Sequence, residues 1–321
     1  MSAFSPQWQG HLSHLGLIKI TGEDTLKYIQ GQVTCNVEML TGNNWQFGAH
    51  CDFKGKMWNM FQAFKWHDAV YLLCQQSALA GALAELKKYG VFSKVEITDA
   101  TAQMSIVGCA GNAAILDELA IELPEISPAY SATLVPDSAS STTTPNSYVL
   151  HIATHLPAPN ALRHLIITDK TVLTTMLPDG ATIWNALDIQ AGIGAISDTT
   201  SNEFVPQMLN LQAIDAIDFK KGCYMGQEVV ARTKYLGKNK RAGYILTTTG
   251  DIDIAAGETL EIQVGENWRR GGIVLNSGYI DGQTWFFAVL PNDTERGSHL
   301  RVKTQPDIIA TTQALPYTLD V

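Results

Sequence analysis

The period of the hydrophobic pattern changes several times along this chain, and each change predicts an element. A short alternating run from Leu17 to Ile20 reads as a strand, and the turn Thr21-Gly22 leads into a helix whose apolar face carries Leu26, Ile29 and Val33. "WQFGAHCDFKGKMWNMFQAFKWHDAVYLLC" holds aromatic and aliphatic runs broken at Lys54-Gly55 and His67-Asp68, which predicts consecutive antiparallel strands. "SALAGALAELKKYG" predicts a helix with Leu79, Leu83 and Leu86 on its apolar face and Gly90 as its stop. Strands around Val95 and Ile106 and a helix from about Asn112 to Ile121 follow.

From Ser127 to Ser147 the chain turns to Ser, Thr and Pro with almost no charge, which predicts a flexible insertion. Strands near Val149 and Leu165 come next, then a helix after Thr168. "ATIWNALDIQAGIG" predicts an amphipathic helix with Ile183, Leu187 and Ala191 on one face. After Arg241 helical spacing disappears, and short strands recur between Gly, Asp and Asn turns, as in a small barrel or sandwich. The irregular mixture of helices and short strands indicates an α+β fold.

Composition narrows the class. A chain of 321 residues, 45% hydrophobic and 17% charged, is an ordinary folded protein long enough for two or three domains. No basic region followed by an apolar run opens the chain, and no stretch reaches the roughly 18 apolar residues of a membrane span. The expectation is a cytoplasmic protein without membrane contact. Net charge of −9 opposes general affinity for nucleic acid. The five cysteines, Cys35, Cys51, Cys74, Cys109 and Cys223, form no C-x-x-C pair and read as reduced, mostly buried thiols. His50-Cys51-Asp52 lacks companion ligands, so no metal is expected.

One segment departs from the acidic background. Residues 220 to 241 carry Lys220, Lys221, Arg232, Lys234, Lys238, Lys240 and Arg241 against the single acid Glu228, a local charge of +6, so that the remainder carries −15. Such a segment either focuses an anion or is a solvated face paired to neighbouring acids. Glycines at 222 and 226 make "KGCYMGQE" a turn rather than a regular element. Lysines beside Cys223 favour its thiolate, while the alternative is a small buried turn residue. No nearby group supplies a general base for it.

"KKGCYMGQEVVAR" closely resembles the signature of the YgfZ family of folate-binding proteins. "YIQGQVTCNV", "HCDFKGKMWN", "ELKKYGVFSKV", "FVPQMLNLQAI", "YLGKNKR" and "GENWRRGGIV" match in order over almost the whole chain. The family is related to the glycine-cleavage T-protein, a tetrahydrofolate-dependent aminomethyltransferase. The resemblance implies a three-domain architecture around a central folate cavity, with a C-terminal antiparallel β-barrel. Residues 1–100 would form an N-terminal folate-binding region completed by 181–240. Residues 101–180 would form a ferredoxin-like region containing the 127–147 insertion, and 241–321 the barrel.

What the resemblance implies for function turns on the departures. T-proteins carry an acidic pair in Gly-Gly-Ile-x-Asp-Asp, and the matching places here hold Asn59 and Met60, neither of which ionises. A folate-contacting glutamate of T-proteins appears as Gln190. Trp184 stands where the family has a folate-contacting tryptophan; by itself it is a core residue of an amphipathic helix. The expected cofactor is tetrahydrofolate or a derivative, contacted by Trp184, Gln190, Tyr224, Gln227, Glu228 and Arg232, with the basic segment meeting its glutamate tail. Cys223 is the expected functional thiol, with Lys221 beside it.

The implied role is maintenance or repair of iron-sulphur enzymes, including a methylthiotransferase that modifies tRNA, as transient partners. The chain is expected to be a monomer, and not a conventional enzyme. A folate-dependent aminomethyl or methyl transferase is the alternative reading. A pure interaction protein that binds tRNA through the basic segment is a third, opposed by the −15 carried elsewhere.

Overall fold

The computed structural model describes residues 8–111, 113–119, 121, 130–136, 145–153, 162–169, 173, 176–235, 237 and 239–319. The chain forms two compact units. One consists of Met1–Gln30, Asn36–Phe47 and Phe61–Ala181, the other of Gly31–Cys35, Gly48–Met60 and Thr182–Val321.

The first unit is built on antiparallel strands. Its elements are β1 (Trp8–His11), β2 (Leu15–Thr21), α1 (Thr25–Gln30), β3 (Trp45–Cys51), β4 (Met57–Trp66), β5 (Ala69–Gln75), α2 (Gln76–Gly90), β6 (Glu96–Asp99), β7 (Met104–Ala110), α3 (Ala114–Glu118), β8 (Ala132–Pro136), β9 (Pro145–Ala153) and β10 (Leu162–Asp169). One sheet runs β3-β4-β5-β2-β6 and the other β1-β7-β10-β9-β8. The tip of the β3–β4 hairpin, Gly48–Met60, counts with the second unit. Both predicted strand breaks fall where expected. Trp66 pairs with Ala69 across His67-Asp68, and His67 adopts the left-handed backbone that so short a turn requires, at φ 54. Phe64 stacks on Tyr71 at 5.3 Å and on Tyr148 at 4.8 Å, filling the core of this unit with aromatic rings.

Several local expectations need correction. α1 ends at Gln30, so Val33 lies beyond its helical face and bridges to His50 instead; Thr25, Tyr28 and Ile29 are the buried positions. The buried stripe of α2 is Ala78, Leu79, Ala82 and Leu86, with Leu83 at its margin. Of the stretch 127–147, residues 127–129 and 137–144 lie outside the described residues, as do 170–172 and 174–175 of the helix expected after Thr168. Ala132–Pro136 and the start of Pro145–Ala153 are paired strands. Thr and Val in these segments suit a pleated surface, and Pro136 sits at the end of an outermost strand, where a missing N–H costs no ladder bond.

The second unit contains α4 (Ala181–Gln190), α5 (Gln227–Tyr235) and a closed antiparallel barrel in the order β11-β14-β13-β12-β15-β16. Its strands are β11 (Arg241–Thr249), β12 (Thr259–Val264), β13 (Asn267–Ile280), β14 (Gln283–Pro291), β15 (His299–Val302) and β16 (Gln305–Thr312). Alternate apolar residues, Phe286, Ala288 and Leu290 on β14 among them, point into one core with Leu246, Leu260, Val274, Leu300 and Val302. Asp281-Gly282, with φ of 52 and 78, makes the two-residue β13–β14 turn. Closure removes the exposed edges that a sandwich would leave. In α4 the buried side chains are Trp184, Ala186, Leu187 and Ile189, so Ile183 is only half-buried and the face is centred on Trp184 and Leu187. β13 packs closely on this helix: a Cβ on Gly278 would lie 2.3 Å from the Ala186 amide nitrogen.

Candidate functional site

The basic segment is entered through a turn, held by an acid just ahead of it. Asp218 Oδ1 accepts the amide N–H of Lys220 (2.7 Å) and of Lys221 (3.1 Å), the Asx geometry by which a short carboxylate replaces a backbone turn partner. The same residue's N–H donates to Thr34 O (2.9 Å), and Thr34 Oγ1 donates to Ala216 O (2.6 Å). Met225 N–H donates to Gly31 O (3.0 Å). The loop is therefore stitched to residues 31–34 on both sides of Cys223.

Lys221 adds a stronger tie. It is 8% exposed, and its ammonium donates to Val33 O (2.8 Å) and Cys35 O (2.6 Å). Charge-assisted bonds to carbonyls offset the cost of burying a lysine. The ammonium also lies 5.3 Å from the centre of the Tyr224 ring. Lys221 is thus directed inward to brace the loop, and its charge is committed to these carbonyls.

A second turn supports the loop. Asp52 Oδ1 accepts the N–H groups of Lys54 and Lys56, both at 2.9 Å, and Gly55 takes φ +73. Gly226, at φ +82, packs against it: a Cβ there would lie 2.5 Å from Asp52 O and 2.9 Å from Gly55 Cα. Here glycine is required for both conformation and close approach. Three segments far apart in sequence, 31–35, 52–56 and 218–227, are brought together in this way.

Between its anchors the loop presents Gly222 and Cys223 to solvent. Among the described residues Cys223 is the one exposed cysteine; Cys35, Cys51, Cys74 and Cys109 are buried. The reading of Cys223 as a buried turn residue is thereby excluded. Burial pushes the Cys35 and Cys109 thiols up to about 12 and that of Cys51 higher still. Tyr224, 7% exposed, has its hydroxyl pKa raised by burial and then by neighbouring Cys51 and Asp218.

Gln227 opens α5, its N–H bonded to Tyr224 O (3.1 Å). Glu228 and Arg232 follow on one exposed face four residues apart. Lys220, Lys234 and Lys240 are also exposed, Arg241 is half-buried, and Lys238 lies outside the described residues. Lys221, Cys223, Tyr224, Gln227, Glu228 and Arg232 thus share one loop and helix. Trp184 and Gln190 belong to a separate element, α4, with Trp184 1% exposed and Gln190 half-buried at its end.

Asn59, on β4, is fully buried, and neither its Oδ1 nor its Nδ2 has a partner. The supporting roles of Val33, Thr34, Cys35 and Gly55 were not anticipated individually, although the stretches "YIQGQVTCNV" and "HCDFKGKMWN" that contain them stood out. Among the described residues no three His, Cys, Asp or Glu side chains cluster as metal ligands, and no helix is long and apolar enough to cross a membrane.

The fold is that of the glycine-cleavage aminomethyltransferases. The crystal structure of glycine cleavage system aminomethyltransferase T from Bartonella henselae superposes with a TM-score of 0.70 over 97% of this chain and 86% of that one, at 13% identity. Residues 239–305 match the family model described as "YgfZ, beta-barrel domain". The "tRNA-modifying protein YgfZ" of Colwellia psychrerythraea is 39% identical over 96% of this chain and 92% of its own. That of Yersinia enterocolitica is 41% identical over the same shares. The chain belongs to the YgfZ family.

Proposed function

We propose that this protein is a tetrahydrofolate-binding accessory factor that maintains or repairs iron-sulphur enzymes, including those that methylthiolate tRNA, with Cys223 as its working thiol. The observation that carries the reading is the contrast between one accessible cysteine on a braced loop and four buried ones. A side chain held on fixed backbone but open to solvent suits reaction with a large partner. A lone thiolate serves as a single ligand to a cluster or as a transient sulphur or redox handle. The "tRNA-modifying" name of the relatives is consistent with a client in that pathway.

The fit to folate rests on Asn59. A fully buried amide with no partner at either atom calls for an outside group that both donates and accepts, and the polar edge of a pterin does both. Trp184, Gln190, Tyr224, Gln227, Glu228 and Arg232 are the residues proposed to contact the cofactor, with Arg232 a cation for the acidic tail; Trp184 and Tyr224, 1% and 7% exposed, would meet it only at their edges. When bound, folate supplies a one-carbon carrier. Asn59 and Met60 cannot take a proton, so this chain holds the cofactor without the carboxylate of an aminomethyl transfer.

The proposed clients are transient, the working state is a cytoplasmic monomer, and tRNA is not bound directly, since charge outside the basic segment is strongly negative. The test is Cys223→Ser, scored for restoration of methylthiolated tRNA in cells lacking the native gene and for tetrahydrofolate affinity in vitro. Loss of the first with retention of the second is expected. Full restoration removes the thiol from the mechanism.

A further inference from the structure

A separate cleft lies within the barrel-bearing unit, at the short turns Pro206–Leu209 and Leu211–Ile214, the end of α5 and the start of β11. Its volume is about 410 Å³, within the range of small-molecule sites. Gln207 lines it and is 4% exposed. The Gln207 Nε2 donates to Val230 O at 2.7 Å, which fixes the orientation of the amide and leaves Oε1 buried without a partner. Gln212 lines the same cleft, and its Oε1 is likewise buried and unpartnered. Asp215 adds a carboxylate. The neighbouring Asn210 is used structurally: it exchanges bonds with Gly243 through Nδ2 (2.8 Å) and Oδ1 (3.1 Å).

Buried acceptors without donors are costly, so the two amide oxygens, set beside the exposed Asp215 carboxylate, point to a ligand rich in N–H groups. Positive charge is supplied alongside. The Lys234 ammonium lies 3.8 Å from the centre of the Phe219 ring, and Arg241 also lines the cleft. Adjacent ring N–H and amino donors on a flat heterocycle, joined to an anion, are the chemistry of guanosine monophosphate.

We propose that this cleft binds a guanine nucleotide, its N1–H and 2-amino group donating to Gln207 Oε1, Gln212 Oε1 and Asp215, and its phosphate meeting Lys234 and Arg241. A pterin carries the same donor edge, and Lys234 belongs to the segment offered above to the folate tail, so the test separates the two ligands. Calorimetric titration of the purified full chain with GMP and IMP, in the absence of folate, is the measurement. IMP lacks the 2-amino group and should bind about tenfold more weakly or worse. Gln212→Leu should weaken GMP by a similar factor while leaving the tetrahydrofolate titration unchanged. Absence of GMP binding, equal affinities for GMP and IMP, or displacement of GMP by tetrahydrofolate overturns the proposal. Failure of the protein to bind tetrahydrofolate leaves the GMP result standing. The GMP and IMP comparison on the unaltered protein decides the matter even where the variant does not fold.

Discussion

The ammonium of Lys221 lies 2.6 Å from the carbonyl oxygen of Cys35 and 2.8 Å from that of Val33, so a cation from the motif is spent on holding two backbone carbonyls in place. Its neighbour Lys220 is exposed. The pair therefore separates structural from surface charge. Lys221→Met should lower stability by about 2–3 kcal/mol, because it leaves buried acceptors without their charged donor. Lys220→Met should stay within about 0.5 kcal/mol of the unaltered protein. Urea unfolding of both variants checks the contrast, and equal effects would show that Lys221 is not the brace.

Gly226 and Gly222 make a similar pair. Gly226 has φ +82 and a Cβ there would meet Asp52 O at 2.5 Å, whereas a Cβ on Gly222 meets nothing within 4 Å. Gly226→Ala should cost about 2 kcal/mol or more from left-handed backbone and clash together. Gly222→Ala should be close to neutral. Thermal melts of the two proteins give the comparison, and a tolerated Gly226→Ala would mean that the two turns are not in contact.

The accessibility of Cys223 has a direct chemical readout. Native protein treated briefly with iodoacetamide should be alkylated at Cys223 alone, with Cys35, Cys51, Cys74 and Cys109 labelled only after unfolding. Peptide mass mapping before and after addition of urea records this. Labelling of Cys51 or Cys35 in the native protein would contradict their burial.

What could be read from the sequence follows from how local each cause is. The breaks at Lys54-Gly55 and His67-Asp68 depend on turn-forming residues at the breaks themselves, and the barrel depends on alternation within each strand. Both were legible. The inward direction of Lys221 was not, because its partners Val33 and Cys35 lie 188 and 186 residues away. Two lysines beside a cysteine look alike in sequence, while one is buried and one exposed. The strand Ala132–Pro136 was missed because a Ser-, Thr- and Pro-rich composition signals a linker, yet its pairing with Val149 and Leu150 is a tertiary event. For the five cysteines, which one faces solvent is a matter of packing alone.

Buried histidines set the acid limit of stability. Burial lowers the pKa of His50 from 6.5 to about 4; burial, then His151 beside it, lowers that of His164 to about 3. Both are neutral in the folded state over a range where the unfolded chain binds protons. Their contribution is complete above pH 6.5 and is lost as pH falls below it, by at most about 1.4 kcal/mol per pH unit for each group. Urea midpoints should be level from pH 8 to 7 and then decline toward pH 4. His164→Gln should make that decline shallower, and an unchanged slope would exclude His164 as a contributor.

Asn59 permits the opposite pH test at the proposed cofactor site. The side chain is fully buried with no partner at either amide atom, so Asn59→Asp places a carboxyl where nothing supports its charge. Desolvation then raises the folded-state pKa of this carboxyl well above the unfolded value of about 3.9. At pH 7 the variant should be less stable than the unaltered protein by about 3 kcal/mol or more. Because the folded state binds the proton more tightly, the deficit should shrink as pH falls toward 4, while the histidine effect makes the unaltered protein less stable over the same range. A carboxyl kept neutral at pH 7 accepts no proton, so the variant should show no aminomethyl transfer to tetrahydrofolate at that pH. Parallel urea titrations from pH 7 to 4 and a turnover assay with tetrahydrofolate provide the measurements. A deficit that does not vary with pH would place the residue 59 side chain in solvent, and turnover by Asn59→Asp would show that one carboxylate is all that separates this chain from a transferase.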